Sequence, residues 1–300
     1  MKEKALYWFG VVKTAITLWL DRSAIIYAGA LAFFTLFSIA PVVILAVQVI
    51  GLVISTDTAM TQIMEQLTAT VGPDAARAVA EAVQRTQLDR SGIVPTLIGL
   101  GAMIVGATTV FAQMQRSLNN IWDIAPKPTR NTILALLKSR LTSLTVVLSI
   151  GFVLLVSLFL SVVLQSIMVF AQDWLPVPGG LAVALETLIS VAVVTLLFAT
   201  IFRVLPDARL SFRDVFSGAL VTALLFIVGR FLIALYLSHT ATASTYGAAG
   251  SLVLLLLWVY YSSLILLFGA AFTRAHTEAR GIHIRPNRTA VRVHKSLMED

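Results

Sequence analysis

Two side chains stand where charge is costly. Glu186 and Arg230 each interrupt an otherwise apolar run, and an ionised group near the middle of a bilayer costs about 2.5–3.5 kcal/mol on insertion scales. Counted from the ends of their runs at ~1.5 Å per residue, both fall about 10 Å below the same surface. An ion pair between neighbouring helices is the sharp reading, with a role in substrate binding beyond it. The plain reading has Arg230 snorkelling to water alone while Glu186 stays in the interface. Pro41, with Ser38 and Thr35 just before it, is the second candidate. Proline frees a backbone carbonyl and is expected to kink or break its span, and broken helices build the binding sites of transporters. A packing kink is the plain alternative.

Enzymatic chemistry finds little to work with. The four histidines are His239, His276, His283 and His294, and there is no cysteine. They form no His-x-His or HExxH motif and join no carboxylate cluster, so neither a metal nor metal-assisted cleavage is expected. Disulfides, thiol nucleophiles and iron–sulfur clusters are excluded outright. No Gly-x-Ser-x-Gly or Walker A motif occurs. The expectation is a non-enzyme without a cofactor.

The elements that hold these residues follow from composition. Hydrophobic residues make up 58% of the 300-residue chain and charged residues 12%, about half the share of an ordinary soluble domain. Lipid must therefore solvate much of the surface. The net charge of +7 lacks the aromatic-interleaved basic face of a nucleic-acid binder, so no nucleic-acid partner is expected. Membrane lipids are, with envelope proteins or a second copy of the chain as further partners.

The pattern predicts an all-α polytopic membrane bundle of about six transmembrane helices. Residues 1–22 read as a cytoplasmic interfacial helix, with Leu6, Phe9, Ile16 and Leu20 near one face and Trp8 and Trp19 among them. A plain lead-in to the first span is the alternative. The six-span domain covers 23–273, with spans at about 24–54, 93–113, 141–172, 181–202, 215–237 and 248–272. Between the first two, 57–90 carries five acids and three arginines and reads as two amphipathic external helices around Gly72-Pro73. Residues 274–300 form a basic cytoplasmic tail. Of the 22 Lys and Arg residues, eighteen fall on one side of this arrangement and three on the other, with Arg230 between. That bias predicts both termini in the cytoplasm of a bacterial inner membrane. Arg209, Arg213 and the tail arginines are sufficiently explained by it, although anionic headgroups would also suit them.

Five elements in order carry a family resemblance. Ala30–Pro41 reads as an aromatic run ending in proline. Asn119-Asn120-Ile121-Trp122 is an N-x-x-W element. Leu205-Pro206-Asp207-Ala208-Arg209 leads to Arg213, Asp214 and Gly218. Tyr246-Gly247-Ala248-Ala249-Gly250 precedes Trp258 and Tyr260, and Gly269-Ala270 closes the set. Over roughly residues 10–280 the chain resembles the YihY/BrkB family of bacterial inner-membrane proteins. Many relatives carry a glutamate after the final Gly-Ala, where this chain has Ala271. The resemblance implies links to envelope integrity, serum resistance and lipid export. A ribonuclease BN label attached to the family finds no supporting residues here. Transport or flipping of an envelope lipid is the leading expectation. A non-transporting scaffold is the second, and a small-solute channel lined by Gln113, Ser238 and Thr242 the third.

Overall fold

The computed structural model describes residues 2–51, 55–87, 93–127, 179–239 and 250–293. Eight helices run through them: α1 Lys2–Asp21, α2 Ala24–Gly51, α3 Thr56–Val71, α4 Pro73–Gln87, α5 Ile93–Ile121, α6 Gly179–Val204, α7 Phe212–His239 and α8 Gly250–Ala279. Four short strands accompany them: β1 Ile124–Pro126, β2 Ala208–Arg209, β3 Arg285–Pro286 and β4 Ala290–Arg292. The expected span at 141–172 lies outside the described residues, as do Tyr246, Gly247 and Thr242.

Among the described residues, three helical stretches are long and apolar enough to cross a bilayer: Ala24–Gln48, Phe212–Ile233 and Leu252–Ala279. Their outward faces keep Phe33, Phe37, Val228, Phe231, Leu232, Leu252 and Leu257 exposed, which suits hydrocarbon rather than water. The chain is an all-α membrane bundle. α2 runs unbroken through Pro41, whose ring packs on α5 where Gly106 leaves room. A Cβ at Gly106 would approach the proline Cγ to 3.0 Å.

α7 and α8 pack antiparallel through small residues in strict register. A methyl on Gly218 would overlap the Thr273 hydroxyl, one on Gly269 the Thr222 hydroxyl, and one on Gly229 the Tyr261 ring. Each threonine donates to the carbonyl four residues back in its own helix, Thr222 to Gly218 at 2.6 Å and Thr273 to Gly269 at 2.8 Å. The hydroxyls are thereby satisfied, and each can lie over the other helix's glycine. Close backbone approach of this kind replaces the hydrophobic drive that lipid cannot supply.

The expected external segment does form two helices, α3 and α4, separated by Gly72 at φ +88°. They fold back onto the bundle. Ala75, Ala76, Val79 and Val83 of α4 bury against Ala40, Val43, Ile44 and Val47 of α2 and Leu255 of α8. α1 runs back along the end of α8, with Tyr7 bonded to His276 at 3.1 Å and Trp19 donating to the Leu264 carbonyl at 3.2 Å. Val11 and Ala15 are buried there, while Leu6, Phe9, Ile16 and Leu20 stay exposed. Its apolar face is thus left for a medium other than protein, as an interfacial helix requires.

Two segments depart from the sequence reading. α5 continues as helix to Ile121, past the expected end of its span, because its polar last turns have partners waiting. The described part of the basic tail, residues 274–293, is folded. β4 pairs antiparallel with β1, and β3 with β2, so residues 285–292 strap the end of α5 to the α6–α7 connection. Ile284 and Ala290 bury into the main core.

Candidate functional site

The polar elements of the sequence converge at the end of the bundle that carries α1 and the strap. Asn119, on the last turn of α5, clips Asp207 twice. Its amide donates to the carboxylate at 2.9 Å, and its carbonyl accepts from the Asp207 backbone N–H at 2.9 Å. Gln115 adds a longer bond to the same carboxylate at 3.4 Å. Pro206 is buried beside them. Three residues on from Asn119, the buried Trp122 indole donates to the Ala270 carbonyl at 3.0 Å. The N-x-x-W, L-P-D and Gly-Ala elements therefore meet in one place. Helical spacing puts Asn119 and Trp122 on neighbouring positions of one face, one reaching the α6–α7 loop and the other α8.

Beside this clip lies an ionic knot around Arg274, which is 8% exposed in its side chain. All three nitrogens of its guanidinium are used. One terminal nitrogen pairs with Asp123 at 2.8 Å, the other donates to the Ile121 carbonyl at 2.6 Å, and Nε pairs with Glu278 at 3.0 Å. Arg22, from the α1–α2 junction, shares the Asp123 carboxylate at 2.8 Å. Asn120 donates to the Arg22 carbonyl at 2.7 Å. A lone buried charge costs several kcal/mol, and Arg274 recovers that cost by placing each guanidinium nitrogen on a different acceptor. Asp123 itself sits at φ +55°, as does Ser23 opposite. That conformation costs an ordinary L-residue about 1–2 kcal/mol. The paired arginines hold the aspartate in it.

Arg274, Asp123 and Arg22 were not singled out in the sequence. A signal existed: Arg274 and Glu278 stand four apart, the spacing of a helical ion pair, directly after an apolar span. It marks the helix continuing beyond residue 272. Nothing local announces Asp123 or Arg22.

The residues chosen from the sequence distribute differently. Ser38 is buried and Arg230 exposed. α6 and α7 are antiparallel neighbours joined through Phe198 and Phe226, ring centroids 5.8 Å apart, so the helices that carry Glu186 and Arg230 do adjoin. Of Glu186 only the backbone is described. Trp258 stacks edge-on against Phe226 at 5.2 Å and borders the hairpin core. Gly250 begins α8. Gln113 is buried, and the side chain of Ser238 lies outside the described residues. At the far end, an open depression of about 760 Å³ runs along α3, lined by Asp57, Met60, Thr61, Met64, Glu65 and Thr68. Among the described residues no three His, Asp or Glu side chains gather as a metal-holding group.

An α-helical membrane protein whose separate polar elements fasten one end of its bundle is the class that fold and site define. A family model described as Virulence factor BrkB matches residues 16–293, and the chain belongs to that family. It is similar to a UPF0761 membrane protein of Psychromonas ingrahamii, 32% identical over 61% of this chain and 59% of that relative. A UPF0761 membrane protein of Alteromonas mediterranea is 27% identical over 85% of this chain and 83% of its own length. YfkH of Bacillus subtilis, named as a ribonuclease-like protein, is 27% identical over 81% of this chain and 86% of its own. No solved structure matches.

Proposed function

We propose that the protein moves an amphipathic component of the envelope, a lipid or lipid-like molecule, between the leaflets of a bacterial inner membrane, with both termini in the cytoplasm. The observation that carries this reading is the open, shallow face of α3, formed by one helix of the hairpin that packs on the bundle. Its methionine side chains are flexible and polarizable and accept irregular apolar shapes, while Asp57, Glu65, Thr61 and Thr68 offer a polar border. It belongs to a helical hairpin seated on α2 and α8, two apolar stretches of spanning length.

Reconstitution tests the proposal. Liposomes holding the purified chain and a fluorescent phospholipid analogue should expose the inner-leaflet label to an external quencher faster than empty liposomes. Lipid exchange no faster than in the empty liposomes, across the major envelope lipids, would sink it.

A second reading, a non-transporting frame for envelope proteins, is favoured by the Arg274 knot and the Asn119–Asp207 clip beside it, which together tie four segments at one end. It predicts silent liposomes and stoichiometric envelope partners after purification in mild detergent.

A further inference from the structure

Two arginines face each other where nothing in the fold asks for them. In the β2–β3 pair, Arg209 is the direct cross-strand partner of Arg285. Directly opposed residues of an antiparallel pair project from the same face with their Cβ atoms about 4.5–5.5 Å apart, and like charges there are destabilising. Both are exposed, while their neighbours Ala208, Leu210 and Ile284 point inward and are buried. Among the described residues neither arginine has a carboxylate partner. The acids closest in sequence are occupied: Asp207 by Asn119, Asp214 by the Ser211 backbone N–H at 3.0 Å, and Glu278 by Arg274.

The surroundings name the missing counter-charge. The stretch of α7 long and apolar enough to span a bilayer begins at Phe212; with that end taken as the hydrocarbon boundary, Arg209 and Arg213 stand within one turn of it, where lipid headgroups lie. Phe212 and Phe216 are exposed beside them. The Arg203 guanidinium lies 3.9 Å over the Phe212 ring, a cation–π contact that holds one more positive group at the same rim. Guanidinium pairs match phosphate oxygens in a planar fork.

We propose that Arg209 and Arg285 clamp the phosphate of an anionic lipid headgroup from the leaflet that borders the strap. The bound phosphate cancels the repulsion across the strand pair and couples the tail to the membrane surface. This site stands whether or not the chain moves a lipid, because it needs only a bilayer beside it.

The test uses the full chain in neutral detergent, stripped of lipid, with its melting temperature followed as phosphatidylglycerol, phosphatidylcholine or inorganic phosphate is added. Phosphatidylglycerol should raise the midpoint and phosphatidylcholine should not. Arg209→Gln and Arg285→Gln should each weaken the apparent affinity for phosphatidylglycerol about fivefold, and the double variant about thirtyfold. Without lipid, each single variant should melt no lower than the parent, since a repulsion has been removed. Arg280→Gln, at the same end but off the pair, should change the affinity less than twofold. Equal shifts from the two lipids, a double variant that keeps its preference, or single variants that melt lower without lipid would overturn the clamp. So would an equal loss from Arg280→Gln, which would mean diffuse charge. Saturation by inorganic phosphate alone would assign the pair to a free anion instead of a lipid.

Discussion

The two ends of this bundle are held by different physics. At the strap end, Asn119, Asp207, Trp122, Asp123, Arg22 and Arg274 join α1, α5, α8 and the α6–α7 loop by directional bonds of 2.6–3.0 Å. At the hairpin end, α4 is seated by alanine and valine side chains on α2 and α8. Directional bonds have one good geometry, whereas contacts between small apolar faces are non-directional and tolerate sliding. The contrast teaches where movement is cheap. By that contrast a displacement of the hairpin, on whose α3 the methionine-lined depression lies, would cost less than one at the strap end.

The sharpest way to break that contrast is Arg274→Ala. It strips Asp123 of one partner, leaves Glu278 only its longer 4.0 Å pairing with Arg292, and takes the side-chain donor from the Ile121 carbonyl. The expected loss is about 3–5 kcal/mol, read as a large fall in the melting midpoint by fluorescence-detected size exclusion. Arg274→Lys keeps the charge but cannot reach three acceptors at once, and should recover less than half of the loss. A midpoint unchanged in Arg274→Ala would mean that the knot does not hold the frame. Next come Gly218→Val and Gly269→Val, which drive a side chain into the facing threonine. Each should cost about 1–3 kcal/mol, and trimming the facing residue (Gly269→Val with Thr222→Ala) should restore part of it.

Val79→Ala addresses the hairpin end. It removes buried methyl groups at a cost of about 1–2 kcal/mol, and the loss should be local. Limited proteolysis would cut within 55–87 sooner, while the global melting midpoint moves less than for Arg274→Ala. Global unfolding in step with proteolysis would erase the distinction between the two ends. The smallest effect is expected for the lone charges. Arg230→Glu and Glu186→Arg should each lower stability by about 1 kcal/mol, and the double swap should recover it if the two side chains pair. No recovery would leave Arg230 as a solitary snorkelling cation.

How much of this was readable beforehand depends on whether a feature is a local sum. Hydropathy adds up residue by residue, so the apolar stretches of α2, α7 and α8 were legible, and Gly72-Pro73 divided the polar hairpin where the backbone does. The face of α1 that carries Leu6, Phe9, Ile16 and Leu20 follows from helical periodicity alone. The N-x-x-W, L-P-D and Gly-Ala elements were visible as motifs, but not as one site.

What only the tertiary structure decided was who meets whom. Arg274 reaches the Ile121 carbonyl across 153 residues, and Asn119 reaches Asp207 across 88. Such pairings depend on which helix ends lie side by side, a choice made by packing that no periodicity in either segment encodes. For the same reason the tail was legible only as a basic segment. Its arginines state a sign and a number, but its strand partners, β1 and β2, are supplied by distant loops that come within reach only after the helices have assembled.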